Sequence, residues 1–344
     1  MSPDASGHRR TAGIAALALA VLAAAVLAVA VGPAGIPLAE VARWAAGGGA
    51  DLPETHRRIL AEVRLPRILT GACVGALLGV SGAILQGLLR NPLAEPYLLG
   101  VSSGAALAVT AAVHLGLPTF IFGIYAMPLV AFGGALLALA AVYLLAHARG
   151  RLQVTTLILA GVVVSAFLSA VAMLLAFLSG PRYLEILSWL MGRLEPLTPS
   201  AIRWTGAVAA AGIALAWAQA RDLNALILGE EVAESLGVGI EPAKRRLFVL
   251  ASLLTGAAVA AAGPIGFVGL VAPHICRILV GPDHRALIPA SALCGAAVVL
   301  FADALARVVV APSELPAGVV TSLLGGPFFL VLLVRYARQT GRAH

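Results

Sequence analysis

Between Arg67 and Arg90 the chain carries no charged residue, and Gly71, Gly75, Gly79, Ala83 and Gly87 recur at every fourth position. On a helix that spacing lines small side chains along one face, and in lipid such a face lets a second backbone approach closely. The stretch predicts a spanning helix whose small-residue stripe serves either helix packing or the wall of a path. The remainder of the 344 residues agrees, being 60% hydrophobic and 11% charged with a mean hydropathy of +0.99, far above a soluble composition. An all-α, multi-pass membrane protein follows.

The net charge of +7 does not indicate nucleic acid, because the arginines lie between apolar spans and not on a basic face interleaved with aromatics. Cys73, Cys276 and Cys294 sit in separate apolar segments without C-x-x-C spacing, which suits small buried hydrophobes better than metal ligands. Lys244 is the sole lysine and does not follow a glycine, so a G-x-x-x-x-G-K-[ST] phosphate loop is excluded. No cofactor or metal is expected on this chain, and any ATP must be hydrolysed elsewhere.

Hydropathy and helix breakers place about ten spans at 11–32, 67–90, 97–116, 121–147, 154–178, 199–219, 246–263, 265–280, 286–308 and 316–337. An even count puts both termini on one side. The positive-inside rule makes that side cytoplasmic, since Arg9, Arg10, Arg90, Arg149, Arg151, Arg221, Lys244, Arg245, Arg246 and Arg285 then lie there with the tail arginines. The first run begins like a secretory signal, but its apolar length of roughly 20 residues fits a retained span. The exception to the charge rule is the outward loop 33–66, with Arg43, Arg57, Arg58 and Arg64. Its charge suits an acidic partner or anionic solute, or is neutralised by Glu40, Asp51, Glu54 and Glu62.

Residues 182–193 read as a short amphipathic outward helix, either a lid or an interfacial anchor through Tyr183 and Trp189. Residues 222–243 are the most polar inward segment. Within it, residues 224–228 form an apolar turn, and Gly229 opens a helix whose first residues, Glu230 and Glu231, favour a helix N-terminus before Gly237 ends it. Two short elements joined at a glycine suggest a docking knob. Gly263-Pro264, Pro273 and Gly325-Gly326-Pro327 are expected to break membrane helices, which is tolerable only against protein or water. Asp303 is the one acid expected at span depth, paired i,i+4 with Arg307 near the outward end, and His274 reads as structural. With no midplane group to couple ions, a secondary transporter or channel for a small solute is the alternative reading.

RLPR at 64–67, NPLAEPYLLGVSSGA at 91–105, GPIGFVGLVAPHICR at 263–277, GPDHR at 281–285, FADALAR at 301–307 and ELPAG at 314–318 together resemble the permease subunits of the iron-siderophore, haem and cobalamin ABC importers. The likeness covers the chain from about Arg64 onward. It implies the type II importer permease fold, one transmembrane domain over 1–344 in the inner membrane, and no catalysis by the chain itself. It also implies a working unit of two copies of this chain, two cytoplasmic ATPase chains and a periplasmic or extracellular binding protein. By resemblance, Arg64, Arg67 and Arg307 dock the binding protein, and Gly229, Glu230, Glu231, Ala233, Leu236 and Gly237 couple to the ATPase. Gly71, Gly75, Gly79, Gln86, Pro92, Ser102, Ser103, Pro264 and Pro273 are the candidates for pathway geometry or internal packing. The expected solute is a bulky metal chelate, a ferric siderophore, haem or cobalamin, with the iron-chelate branch the broadest.

Overall fold

The computed structural model describes residues 3–117, 120–121, 124–148 and 151–340. Its helices are α1 (Pro3–Ala30), α2 (Leu38–Ala45), α3 (Glu54–Leu88), α4 (Val101–His114), α5 (Met127–Ala146), α6 (Val154–Leu178), α7 (Tyr183–Leu190), α8 (Pro199–Ala218), α9 (Ala220–Ile227), α10 (Glu230–Ser235), α11 (Ile240–Ala262), α12 (Val268–Val280), α13 (His284–Ala306) and α14 (Ala317–Thr340). Two two-residue antiparallel pairings, Phe120–Ile121 with Ile124–Tyr125 and His147–Ala148 with Arg151–Leu152, flank α5. Among the described residues eight helices, α1, α3, α5, α6, α8, α11, α13 and α14, are long and apolar enough to cross a membrane, while α4 and α12 are apolar but shorter. Each of the ten apolar segments expected from the sequence coincides with one of these helices.

The core is built on α3. A Cβ added to Gly75 or Gly79 would collide with the carbonyls of Gly295 and Ser291 on α13, and one added to Gly82 would collide with Gly269 of α12. Gly71 instead faces the side chains of Leu194 and Leu300, and Gly87 those of His284 and Leu223. The stripe is therefore a set of packing contacts, with Gly75 and Gly79 in direct backbone approach. Gly104 and Gly134 repeat the device between α4 and α5. In lipid, where tails are as apolar as leucine, such close van der Waals fit is what holds helices together.

Two expected breaks do not occur: α12 runs through Pro273 and α14 through Pro327. A proline inside a helix frees the carbonyl four residues earlier. For Pro273 that carbonyl is Gly269 O, and Gln86 Nε2 of α3 donates to it at 3.3 Å and to Leu270 O at 3.3 Å. For Pro289 of α13 it is Arg285 O, which accepts from Trp217 Nε1 of α8 at 3.0 Å. Donors from neighbouring helices thus restore the bonds that the prolines remove.

The true break is the linker 263–267 between α11 and α12, where Gly263 and the non-glycine Phe267 both take φ of +66°. The linker is held by the segment 91–100, which turns back into the bundle after α3. Tyr97 Oη accepts from Ile265 N at 2.8 Å, and Glu95 Oε1 accepts from Phe267 N. Pro264 lies in this break, its carbonyl against Gly192 and Gly318.

Because Gly79 admits no methyl group while nothing lies within 4 Å of a Cβ on Gly133, the two sites should respond oppositely to alanine. Gly79→Ala is expected to destabilise the purified protein by about 1–3 kcal/mol through overpacking, and Gly133→Ala to be neutral or stabilising by up to about 1 kcal/mol. Thermal unfolding in detergent measures both.

Candidate functional site

One end of the bundle is closed by a buried charge cluster. Arg67 on α3 sends Nε and Nη2 to Asp303 Oδ1 on α13 at 2.9 and 2.8 Å, and Nη1 to Glu314 Oε2 at 2.7 Å. Arg307 reaches Asp303 Oδ2 through Nε at 3.2 Å and donates to Val31 O at 2.8 Å and Ala28 O at 2.9 Å. Arg64 donates to Val29 O and, at 3.4 Å, to Ala30 O. The last four carbonyls of a helix lack intrahelical donors and carry its negative dipole end. Arg64 and Arg307 satisfy that end of α1, while Arg67 ties α3 to α13 and to the strap before α14.

Arg64, Arg67 and Arg307, the three arginines that the resemblance assigns to docking, are only 3, 7 and 3% exposed in this chain, and a guanidinium left unpaired at that depth would be costly. Their side chains turn inward because their partners, the carboxylates and the α1 carbonyls, lie inside. The expected Arg307–Asp303 pair is present, with Arg67 added as its second cation. Exposed arginines at this end include Arg43, Arg57, Arg182 and Arg193, while the exposed Arg58 pairs with Glu54 at 2.6 Å. At this end α7 also walls a cavity of about 210 Å³ bounded by Val109, Met127, Glu185, Trp189, Arg193 and Gly263.

Asp303 is not the sole interior acid. Glu95 is half-buried at the start of α12, whose Gly269 packs on Leu78 at mid-length of α3. Its carboxylate faces the Phe267 N–H at the positive end of the α12 dipole, where negative charge is favoured. In the sequence it lies in the Glu95-Pro96 pair within the 91–105 motif. Among the other candidates, Gln86 and Ser103 are buried and bonded to backbone carbonyls, Ser103 to Gly100 O at 3.0 Å. Pro92 and Ser102 are half-buried and Pro273 is buried within α12.

The opposite end carries the knob. The apolar turn expected at 224–228 is instead the second half of α9, which follows α8 after Gln219 alone. Gly229 links α9 to α10 at φ +124°, a conformation that L side chains rarely adopt. Glu230 is fastened to Lys244 at 2.9 Å and faces Arg90 at 3.6 Å. Ala233 is fully buried, and Gly237 N donates to Glu234 O at 2.9 Å while Val238 N donates to Ala233 O at 3.0 Å, the closure of a helix at a left-handed glycine. Ile227, Leu228, Val232 and Leu236 are exposed, Leu236 by 56%, and Glu231 stands among them at the surface.

A helical bundle with glycine-packed spans, locked by ion pairs at one end and carrying an exposed knob at the other, is the architecture of a multi-pass membrane protein. A model of the FecCD transport family matches residues 19–335. The chain belongs to that family. It is 45% identical over 282 residues to the cobalamin import permease BtuC of Halobacterium salinarum, covering 82% of this chain and 75% of that one. It is 44% identical over 281 residues to the hemin permease HmuU of Yersinia pestis (81% and 84% covered), and 39% identical over 295 residues to the Fe(3+) dicitrate permease FecD of Escherichia coli (85% and 88%). A solved metal-chelate type ABC transporter in an inward-facing conformation superposes with a TM-score of 0.80 at 31% identity, over 94% of this chain and 99% of that one.

Removing one member of a buried ion pair leaves an uncompensated charge, which costs about 3–5 kcal/mol. Asp303→Asn is therefore expected to lower the thermal stability of the purified permease by that order, and Arg67→Lys to fail as a substitute because an ammonium cannot span Asp303 and Glu314 as the guanidinium does. Unfolding midpoints of the two variants check this.

Proposed function

We propose that this chain, as a single transmembrane domain over 1–344, is the non-catalytic pathway subunit of an inner-membrane importer for a bulky metal chelate. Two copies work with two cytoplasmic ATPase chains and an outer binding protein, and the chain itself holds no cofactor. The observation that carries this is the knob. Ile227, Leu228, Val232 and Leu236 form an apolar surface on a polar segment, and a soluble partner is what covers such a surface. The chain lacks a phosphate loop of its own, so a partner must supply the energy. The knob shares its end of the bundle with Arg90, Lys244, Arg245, Arg246 and Arg285, the side that basic loops make cytoplasmic. The relatives named for cobalamin, hemin and ferric dicitrate support a chelate as cargo, with an iron chelate as our first choice.

At the opposite face, Arg43 and Arg57 are proposed to meet acidic groups of the binding protein, where rim charges set association rate and salt sensitivity. One observation favours the secondary-carrier alternative, namely the half-buried carboxylate of Glu95 between α3 and α12, since proton-coupled carriers keep acidic groups among their helices. Its use as cap for α12 answers that observation.

Proteoliposomes holding the permease, its ATPase and its binding protein are expected to import a labelled ferric siderophore, haem or cobalamin only with ATP. Uptake driven by an ion gradient without the ATPase overturns the reading. Leu236→Asp, which loses an interface anchor of about 2 kcal/mol or more, should leave the permease folded while ATPase capture and import both fall.

A further inference from the structure

Asn224 on α9 spends its whole carboxamide on the turn between α12 and α13. Its Nδ2 donates to Asp283 Oδ1 at 2.8 Å. Its Oδ1 accepts from His284 N at 2.9 Å and lies 2.8 Å from His284 Nδ1. One short side chain thus makes three contacts with two consecutive residues.

Those residues are junctions in their own right. Asp283 caps α13 by accepting from Arg285 N at 3.1 Å and pairs with Arg10 of α1 at 3.1 Å. Partial burial pushes its carboxyl up, but the Asn224 amide, the Arg285 N–H and the charges of Arg10 and Arg285 outweigh that and hold it below the usual range. His284 is fully buried, and its ring and Leu223 of α9 close on Gly87 of α3. Arg9 Nη2 donates to Ile278 O near the end of α12 at 2.6 Å, and Trp217 Nε1 of α8 donates to Arg285 O at 3.0 Å. The turn 281–285 is therefore the place where α1, α3, α8, α12 and α13 meet.

We propose that Asn224 is a positioning residue that ties the knob to this turn, so that a displacement imposed on α9 and α10 moves the ends of α12 and α13 with it. The inference rests on the importer reading above. Leu223 and Leu226 also seat α9, but apolar contacts are non-directional and allow sliding. Hydrogen bonds from both ends of one amide fix a single register. The role demands donor and acceptor together, which among small side chains asparagine supplies and aspartate or leucine does not.

The test uses the complete transporter in proteoliposomes, reading binding-protein-stimulated ATP hydrolysis and solute imported per ATP. In Asn224→Ala, ATPase capture should persist while import per ATP falls about tenfold, within the range by which such links change coupling. Asn224→Asp places two carboxylates together and should fall as far. Asn224→Gln keeps donor and acceptor on an arm one methylene longer, leaves Asp283 free to cap α13 and pair with Arg10, and should recover part of the loss, which a merely structural disturbance would not. If Asn224→Ala does not fold, Asn224→Gln and Asn224→Asp decide: coupling kept better by the amide than by the carboxylate supports the role, and equal coupling in the two assembled variants overturns it. Wild-type import per ATP in Asn224→Ala also overturns it. Failure of the importer reading is distinguishable, because then the wild-type complex itself would import without ATP.

Discussion

In a bilayer no water is present to satisfy a stray peptide group, and each orphaned N–H or C=O costs several kcal/mol. The architecture depends on how that constraint is met wherever helices bend, break or end. The carbonyl freed by Pro273 takes Gln86, that freed by Pro289 takes Trp217, the α11–α12 break takes Tyr97 and Glu95, and the end of α1 takes Arg64 and Arg307. Every one of these donors or acceptors comes from a different helix or segment than the group it satisfies. The polar side chains of this apolar protein are therefore its ties, and they join helices far apart in sequence.

Those ties work on a frame set by glycine. Where Gly75 and Gly79 meet Gly295 and Ser291, α3 and α13 lie backbone against backbone. α6 and α14 are different: Phe167, Phe177, Leu323 and Leu330 point outward. The bundle so divides into a close-packed centre and an exposed apolar perimeter. The two ends of the frame also differ in kind. One is closed by three buried arginines held by two carboxylates and by the carbonyls that end α1. The other offers an apolar knob whose base is pinned by Lys244, Glu230 and Asn224.

Much was legible in the sequence because it is local. Apolar run length, the four-residue glycine period, the Gly229 and Gly237 punctuation and the paired glutamates of α10 each read out within a few residues of themselves, and each sits in the structure where that reading put it. The helix breaks were half legible. Gly263-Pro264 does break the chain, but Pro273 and Pro327 do not, and at Pro273 a neighbour supplies the missing donor. The donor for Pro273, Gln86, lies 183 residues from the carbonyl it serves.

The arginines mark the limit. Sequence alone determined that Arg64, Arg67 and Arg307 stand at one end of the spans, because hydropathy edges and charge position are local properties. It did not determine which way they point, for a guanidinium at a helix end is equally suited to water, headgroup or carboxylate. Tertiary structure decided that, by bringing Asp303 to Arg67 across 236 residues and the end of α1 to Arg307 across 276. Once those partners are within 3 Å in a site of low dielectric, the buried pair holds its charges only where donors and acceptors meet, and each guanidinium nitrogen of Arg67 and Arg307 finds an oxygen there.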